Sequence, residues 1–349
     1  MKIFTRYSMT PIIIVSILLL IGFLVAHFRN SMADDKPKFV IDNDAGGDDA
    51  MAIFLSLLYE KYYDGPLLVG LTTANGNTNE DNVCFNNQRI LKIAGRDDIP
   101  IYRGAKSSLV STPEAGDYYG IDGLGDSGNT FPYLVPARTD SAVNALIELS
   151  KKYEGRLTVI TIGTLTNVAV AIKYDPDFLN RLAHLYVGAG HIHSEQNPEP
   201  EFNAHMDVEA YRIVAQNAKP EKVTIFPFSQ TQVYCNFSRD WRENVLGAID
   251  TDIIRHQNKF EQVSLKRSDR WQALDPATVT MFLRPDLVKE YKYSKNDIIV
   301  CGDKRGINTN TFVDKEEANV RIIYSVKTEE YQEFLLDVFS DRHENKNHT

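Results

Sequence analysis

The feature that most constrains the fold is an alternation of short apolar runs with amphipathic helical patterns, sustained over most of the chain. Lys38-Phe39-Val40-Ile41 reads as a buried strand and residues 48–62 as an amphipathic helix. Residues 67–71 read as a second strand, residues 78–94 as a helix and residues 99–102 as a short third strand. The pattern continues with a helix over 141–153, an extended run at 157–161, a helix over 166–174, and buried strands at 185–187 and 223–226. Apolar runs this short, bounded by turn residues, suit strands covered on both faces. Strands joined by helices run parallel, because each crossover returns the chain to the same edge. The expectation is therefore an α/β fold, one large domain over residues 34–340 with a mostly parallel central sheet flanked by helices. In such sheets ligands gather beyond the C-terminal ends of the strands. Residues 236–267 are polar and helical in pattern, an insertion or lid; residues 320–339 return to a strand and a helix; residues 341–349 form a charged tail.

Composition narrows the partners. With 43% hydrophobic residues the chain carries enough apolar material for one sizeable core, and its net charge is −9 with no basic stripe. Nucleic acid is excluded as a partner, since phosphate binding needs a basic face. A cation or a neutral, polar small molecule suits the chain better. Three widely spaced cysteines, Cys84, Cys235 and Cys301, exclude a disulfide scaffold and leave either one bridge with a free thiol or no bridge. At the N-terminus Lys2 and Arg6 precede an apolar run from Pro11 to Phe28, with Ser31 and Ala33 after it. That is the layout of a secretory signal cleaved after Ala33, or of an uncleaved anchor, which alone would make the membrane a partner. Both place the remainder outside the cytosol, and secretion is the expected fate. The sequons at Asn236 and Asn347 are compatible with it.

The densest chemical signal is Asp42-Asn43-Asp44-Ala45-Gly46-Gly47-Asp48-Asp49, four carboxylates within eight residues at a strand exit. Gly46 and Gly47 allow the tight path that converges these side chains. Like charges at such range repel, so a cation is the natural resolution, and all-oxygen ligands favour calcium or magnesium. Helix capping would account for Asp48 and Asp49 but not for Asp42 and Asp44. A magnesium-dependent phosphohydrolase using Asp42 as nucleophile beside Asp44 fits this motif by itself.

This stretch resembles the Asp-x-Asp-x-Gly-x-Asp-Asp signature of the nucleoside hydrolase (nucleoside N-ribohydrolase) family, and further blocks follow in the family's order. Thr72-Thr73-Ala74-Asn75-Gly76-Asn77, Tyr119-Gly120-Ile121-Asp122-Gly123-Leu124-Gly125 and Gly163-Thr164-Leu165-Thr166-Asn167 resemble three of its loops. Glu201-Phe202-Asn203 with Asp207 and Glu209-Ala210, and Asp275-Pro276, complete the match across residues 36–340. The resemblance implies a calcium ion at the C-terminal ends of the strands and hydrolysis of ribonucleosides to ribose and base. It makes Asp44 both metal ligand and general base, and makes Asp49, Asp275 and the Ile162 carbonyl the remaining ligands. Asp48, Asn77, Glu201 and Asn203 would bind the ribose hydroxyls, Asn197 would join them, and Asp42 would orient the cluster from behind. A homo-oligomer, dimer or tetramer, is expected.

Two positions depart from the family pattern. Leu274 and Tyr119 stand where many members carry histidines, and leucine cannot donate a proton to the leaving base. Tyr118, Tyr119 and Trp271 are candidates to stack on the base, with His191 and His193 as spare donors, and a purine preference is expected. For Trp271 the competing reading is core packing, and Asn167 reads as a helix cap. The same departures leave open a nucleoside- or calcium-binding protein without catalysis.

Overall fold

The computed structural model describes residues 36–128 and 131–340, so the N-terminal signal or anchor and the charged tail lie outside the described residues. Among the described residues no helix is long and apolar enough to cross a membrane. The strands are β1 (Lys38–Asn43), β2 (Leu67–Thr73), β3 (Ile101–Tyr102), β4 (Leu157–Thr161), β5 (His184–Gly188), β6 (Val223–Phe226), β7 (Phe237–Ser238), β8 (Arg270–Trp271), β9 (Val288–Ile298), β10 (Asn308–Phe312) and β11 (Val320–Val326). Among the described residues nine strands form one sheet in the order β10-β9-β11-β6-β5-β4-β1-β2-β3, and β7 pairs with β8 apart from it. All pairings from β3 across to β11 are parallel, while β9 pairs antiparallel with both β10 and β11. The mostly parallel α/β sheet expected from the sequence is thus present.

Side chains that alternate along a strand point to opposite faces, and here each face meets its own core. Phe39 and Ile41 of β1 pack with the Gly47–Tyr63, Leu274–Leu283 and Thr328–Phe339 helices, whereas Val40 faces the Thr166–Tyr174 and Val208–Asn217 helices. Val159 and Ile160 divide in the same way. The antiparallel edge escapes the apolar-run criterion because β9 is largely exposed or half-buried, with a charged and aromatic sequence; an edge with one solvated face needs no apolar run. The region over 236–267 holds short helices including Asp252–Phe260, plus the β7 strand. All three cysteines are free thiols, Cys84 and Cys235 buried and Cys301 exposed.

Asp42 ties the middle of the sheet together. Its buried carboxylate accepts from Thr72 Oγ1 on β2 (2.6 Å), Thr161 Oγ1 on β4 (3.3 Å) and Asn167 Nδ2 (2.8 Å). Burial raises its pKa to about 6 against the opposing pull of these three bonds. Asn167 is therefore not a helix cap: its amide also donates to Thr73 O (2.9 Å), its Oδ1 accepts from Ala105 N (3.0 Å), and the cap position belongs to Leu165. A carboxylate committed to three donors inside the sheet cannot serve as a nucleophile, which removes the phosphohydrolase built on Asp42. Asp42→Ala would strand three buried donors at about 1–3 kcal/mol each, so the urea midpoint should fall by an amount worth at least ~3 kcal/mol; an unchanged midpoint would refute the tie.

Candidate active site

The strand order reverses at β1: the chain lays β2 and β3 to one side, then returns to place β4 on the other. Open α/β sheets hold a crevice at such a switch point. Asp44 leaves the end of β1 and meets Gly163, which follows β4, so closely that a Cβ there would lie 2.9 Å from the Asp44 nitrogen. A Cβ on Gly76, after β2, would overlap Asp44 Oδ2. Two glycines from neighbouring strand ends thus leave room for one carboxylate. Between them Ala45 takes a left-handed conformation (φ 41°), strain of a kind that gathers at functional sites.

Hydrogen bonds fix the acidic loop. Asp44 accepts from the Asn77 backbone nitrogen (2.8 Å) and from Asn77 Nδ2 (3.2 Å). Asp49 accepts from Gly46 N (2.7 Å), Asp44 N (3.2 Å) and Asn77 Nδ2 (3.2 Å). Asp49 therefore caps the Gly47–Tyr63 helix while it faces the other acids, and Asn79, not Asn77, caps the next helix.

Above the loop lies a cavity of about 570 Å³. Its floor includes Asp48, Asn77, Ile162, Asn203 and Asp275, and its walls include Tyr118, Tyr119, His191, Glu201, Phe202, Phe228 and Leu274. Strand ends β1 to β6 thus converge on one space with the first turn of the Leu274–Leu283 helix. Glu201 is held by three backbone donors, Gly190 N (2.7 Å), Ala204 N (3.0 Å) and Asn203 N (3.1 Å). Asn203 Nδ2 donates to the carbonyls of Ile162 and Gly188, both at 2.9 Å.

Asp48, Asp49 and Asp275 each offer a carboxylate oxygen within 4.8 Å of the other two, at 7%, 0% and 2% exposure. Asp44 stands beside them with its oxygens engaged by Asn77, so the geometry adds Asp48 to the residues able to hold a cation. Burial first, and then mutual repulsion, holds Asp49 and Asp275 well above the usual carboxylate range. Burial likewise pushes Asp44 up to about 7 and Asp48 to about 6. Asp48 Oδ1 is buried with no hydrogen-bond partner among the described residues. Converging buried carboxylate oxygens, one of them orphaned, fit a hard divalent cation that prefers oxygen ligands.

Two of the expected site residues lie elsewhere. Trp271 is buried against Phe237 and Trp241 and donates from Nε1 to Glu261 (2.7 Å), so it packs beneath the site and does not stack in the cavity. Asn197 is half-buried in a turn with Ser194, and its carbonyl meets His193 Nδ1 (3.0 Å) away from the cavity. Phe202, Phe228, Arg270 and Gln272 line the cavity without having been singled out. Phe228 follows the end of β6, a position that the strand-end rule flags.

The polar segment read as a lid also supports the site from below. Arg242, fully buried, pairs with Glu261 at 2.6 and 2.8 Å, and Gln257 Nε2 joins Glu261 (3.1 Å) to the Gly47 carbonyl (2.6 Å). The start of the acidic helix rests on this network.

Comparison with known proteins follows the same geometry. The family model described as inosine-uridine preferring nucleoside hydrolase matches residues 39–333. A Schizosaccharomyces pombe protein is 28% identical over 314 residues, 86% of this chain and 98% of that one. A probable uridine nucleosidase 2 of Arabidopsis thaliana is 35% identical over 185 residues, 52% of this chain and 56% of its own length. The solved structure of a plant nucleoside hydrolase superposes with a TM-score of 0.76 at 26% identity, covering 87% of this chain and 99% of that one.

Two outcomes are expected. Glu261→Ala leaves a buried guanidinium unpaired, a loss of about 3–5 kcal/mol that chemical denaturation should detect; a shift under 1 kcal/mol would discount the network's role. Asp44 and Asp48 have folded pKa values of about 7 and 6 against 3.8 for the free group. Raised values keep the acids protonated, without penalty to folding, below about pH 4, and cost stability as pH climbs through them. The rise in Tm on adding a divalent cation should therefore grow from about pH 4 to about pH 7, and a pH-independent rise would contradict it.

Proposed function

The chain belongs to the inosine-uridine preferring nucleoside hydrolase family, and from that premise we propose a calcium-dependent ribonucleoside hydrolase with a preference for purine nucleosides. Hydrolysis of ribonucleosides is the family's reaction, and the chain is a nucleoside N-ribohydrolase. The ion and the base are the additional reading. One observation carries the ion: the buried Asp48–Asp49–Asp275 carboxylate cluster with its orphaned Asp48 oxygen on the cavity floor. Asp44, Asp49, Asp275, the Ile162 carbonyl and Asp48 are the groups that would hold it. When bound, calcium supplies Lewis-acid activation of water and offsets the repulsion among these acids.

The residues themselves account for the other steps. Asp44, fixed by Asn77, is the carboxylate placed to accept the proton of the attacking water. Asp48, Asn77, Glu201 and Asn203 surround the space for a ribose, Glu201 and Asn203 held by backbone partners and Asn77 by the Asp44 and Asp49 carboxylates. The carboxylates stabilise the positive charge that develops on the sugar as the C1′–N bond lengthens. A sugar lacking its 2′-hydroxyl would leave buried partners unpaired. Tyr118, Phe202 and Phe228 give the upper cavity aromatic faces for a base, and these support the purine preference. The Arabidopsis relative carries the name of a uridine nucleosidase, which makes the base the sharpest point to test.

Asp44→Ala should lower kcat by at least ~10³ with the Tm retained; turnover within tenfold of the parent would remove Asp44 as the base. Chelation should abolish activity and calcium restore it, and full activity in chelator would sink the metal reading. The ratio of kcat/KM for inosine over uridine should exceed one; uridine winning would overturn the purine preference.

A further inference from the structure

The leaving base needs a partner that Leu274 cannot supply, and Tyr119 is committed elsewhere. The Tyr119 ring lies over Gly46 and Gly47, where an added Cβ would meet it at 2.7 Å. His193 is exposed and occupied by the Asn197 carbonyl.

His191 differs from both. It lines the cavity wall beyond β5, its ring tilted against Phe228 at 5.9 Å. Its Nδ1 is buried and has no hydrogen-bond partner among the described residues. Its backbone is clamped from the sheet edge: Asn308 Oδ1 accepts from His191 N (3.0 Å), and Asn310 Nδ2 donates to His191 O (3.1 Å). Both asparagines belong to β10. A half-buried ring with an unsatisfied nitrogen at a substrate cavity pays a desolvation cost that a ligand would relieve. Burial, then His193, lowers the pKa of this ring to about 4, with no floor carboxylate among the groups acting on it. The ring is thus neutral at working pH, on the aromatic wall and not on the acidic floor.

Resting on the hydrolase reading above, we propose that His191 is the residue that meets the departing nucleobase, its imidazole N–H donating a hydrogen bond to the ring atom or oxygen on which negative charge collects. Water oxygen bonds to C1′ and its proton passes to Asp44. The C1′–N bond breaks and its electron pair leaves with the base. His191 keeps its proton throughout, and the base is protonated by solvent at the open mouth of the cavity. A neutral imidazole acting as hydrogen-bond donor to developing charge has precedent in enzyme chemistry, and one well-placed donor of this kind is worth on the order of 10²–10³ in kcat.

The test compares inosine with p-nitrophenyl riboside, whose nitrophenolate leaves without help, in the calcium-loaded enzyme. His191→Ala should lower kcat on inosine by ~10² or more and leave turnover of the nitrophenyl substrate within about threefold. His191→Gln, which retains an N–H donor and guards against loss of fold in the alanine variant, should recover part of the inosine rate. Equal losses on both substrates would place His191 on the sugar or in the scaffold and overturn the proposal, as would an unchanged inosine rate. A parent enzyme that cleaves neither substrate would instead overturn the hydrolase reading beneath it.

Discussion

Electrostatic repulsion among carboxylates forced into one dry pocket is the constraint around which this molecule is arranged. Asp44, Asp48, Asp49 and Asp275 are all buried, and no cationic side chain offsets the Asp48–Asp49–Asp275 cluster among the described ion pairs. Such a group exists in a folded protein only if something else stabilises it. Part of that comes from oriented backbone donors at Gly46, Asp44 and Asn77 and from the start of the Leu274–Leu283 helix. The remainder is left for a cation. Function here is stability deliberately withheld until a ligand supplies it.

The fold makes that arrangement possible by geometry. Parallel strands deliver their C-terminal ends to one side, and the reversal of strand order at β1 separates the two neighbouring crossovers, so that loops from β1, β2 and β4 meet over the gap. Glycines at 76 and 163 let the backbone approach the Asp44 carboxylate. Beneath, the Asp42 tie aligns β1, β2 and β4 with one another, and the Arg242–Glu261 pair fixes the base of the acidic helix. The site is held from below on both sides.

Much of this was legible in the sequence because it depends on local pattern. Strands buried on both faces must be short and apolar, so β1, β2, β4, β5 and β6 are visible as runs. The acidic loop is visible because four acids in eight residues defy solvation arguments. What was hidden depends on partners distant in the chain. β9 carries the composition of a solvated edge and shows no apolar run. Asn167 sits at a helix start yet spends its amide across the sheet, and no local feature separates that from capping. Trp271 is buried in the manner usual for its size, and its indole reports on Glu261, not on a substrate. Asn197 fails for a further reason: spacing in a loop of irregular backbone does not fix direction. Arg242 and Glu261 look like any two charges on a polar helix until the fold closes over them.

The clamp on His191 has a consequence for how such a protein changes over time. The wall that faces the base is fastened to β10, a short strand at the outer margin of the sheet, whereas the acids are rooted in its centre. Drift at a peripheral hairpin, where substitutions are tolerated most readily, can therefore retune which heterocycle is accepted while the ion-holding machinery stays fixed. The group that meets the base and the groups that hold the ion are thus inherited through separate parts of one chain.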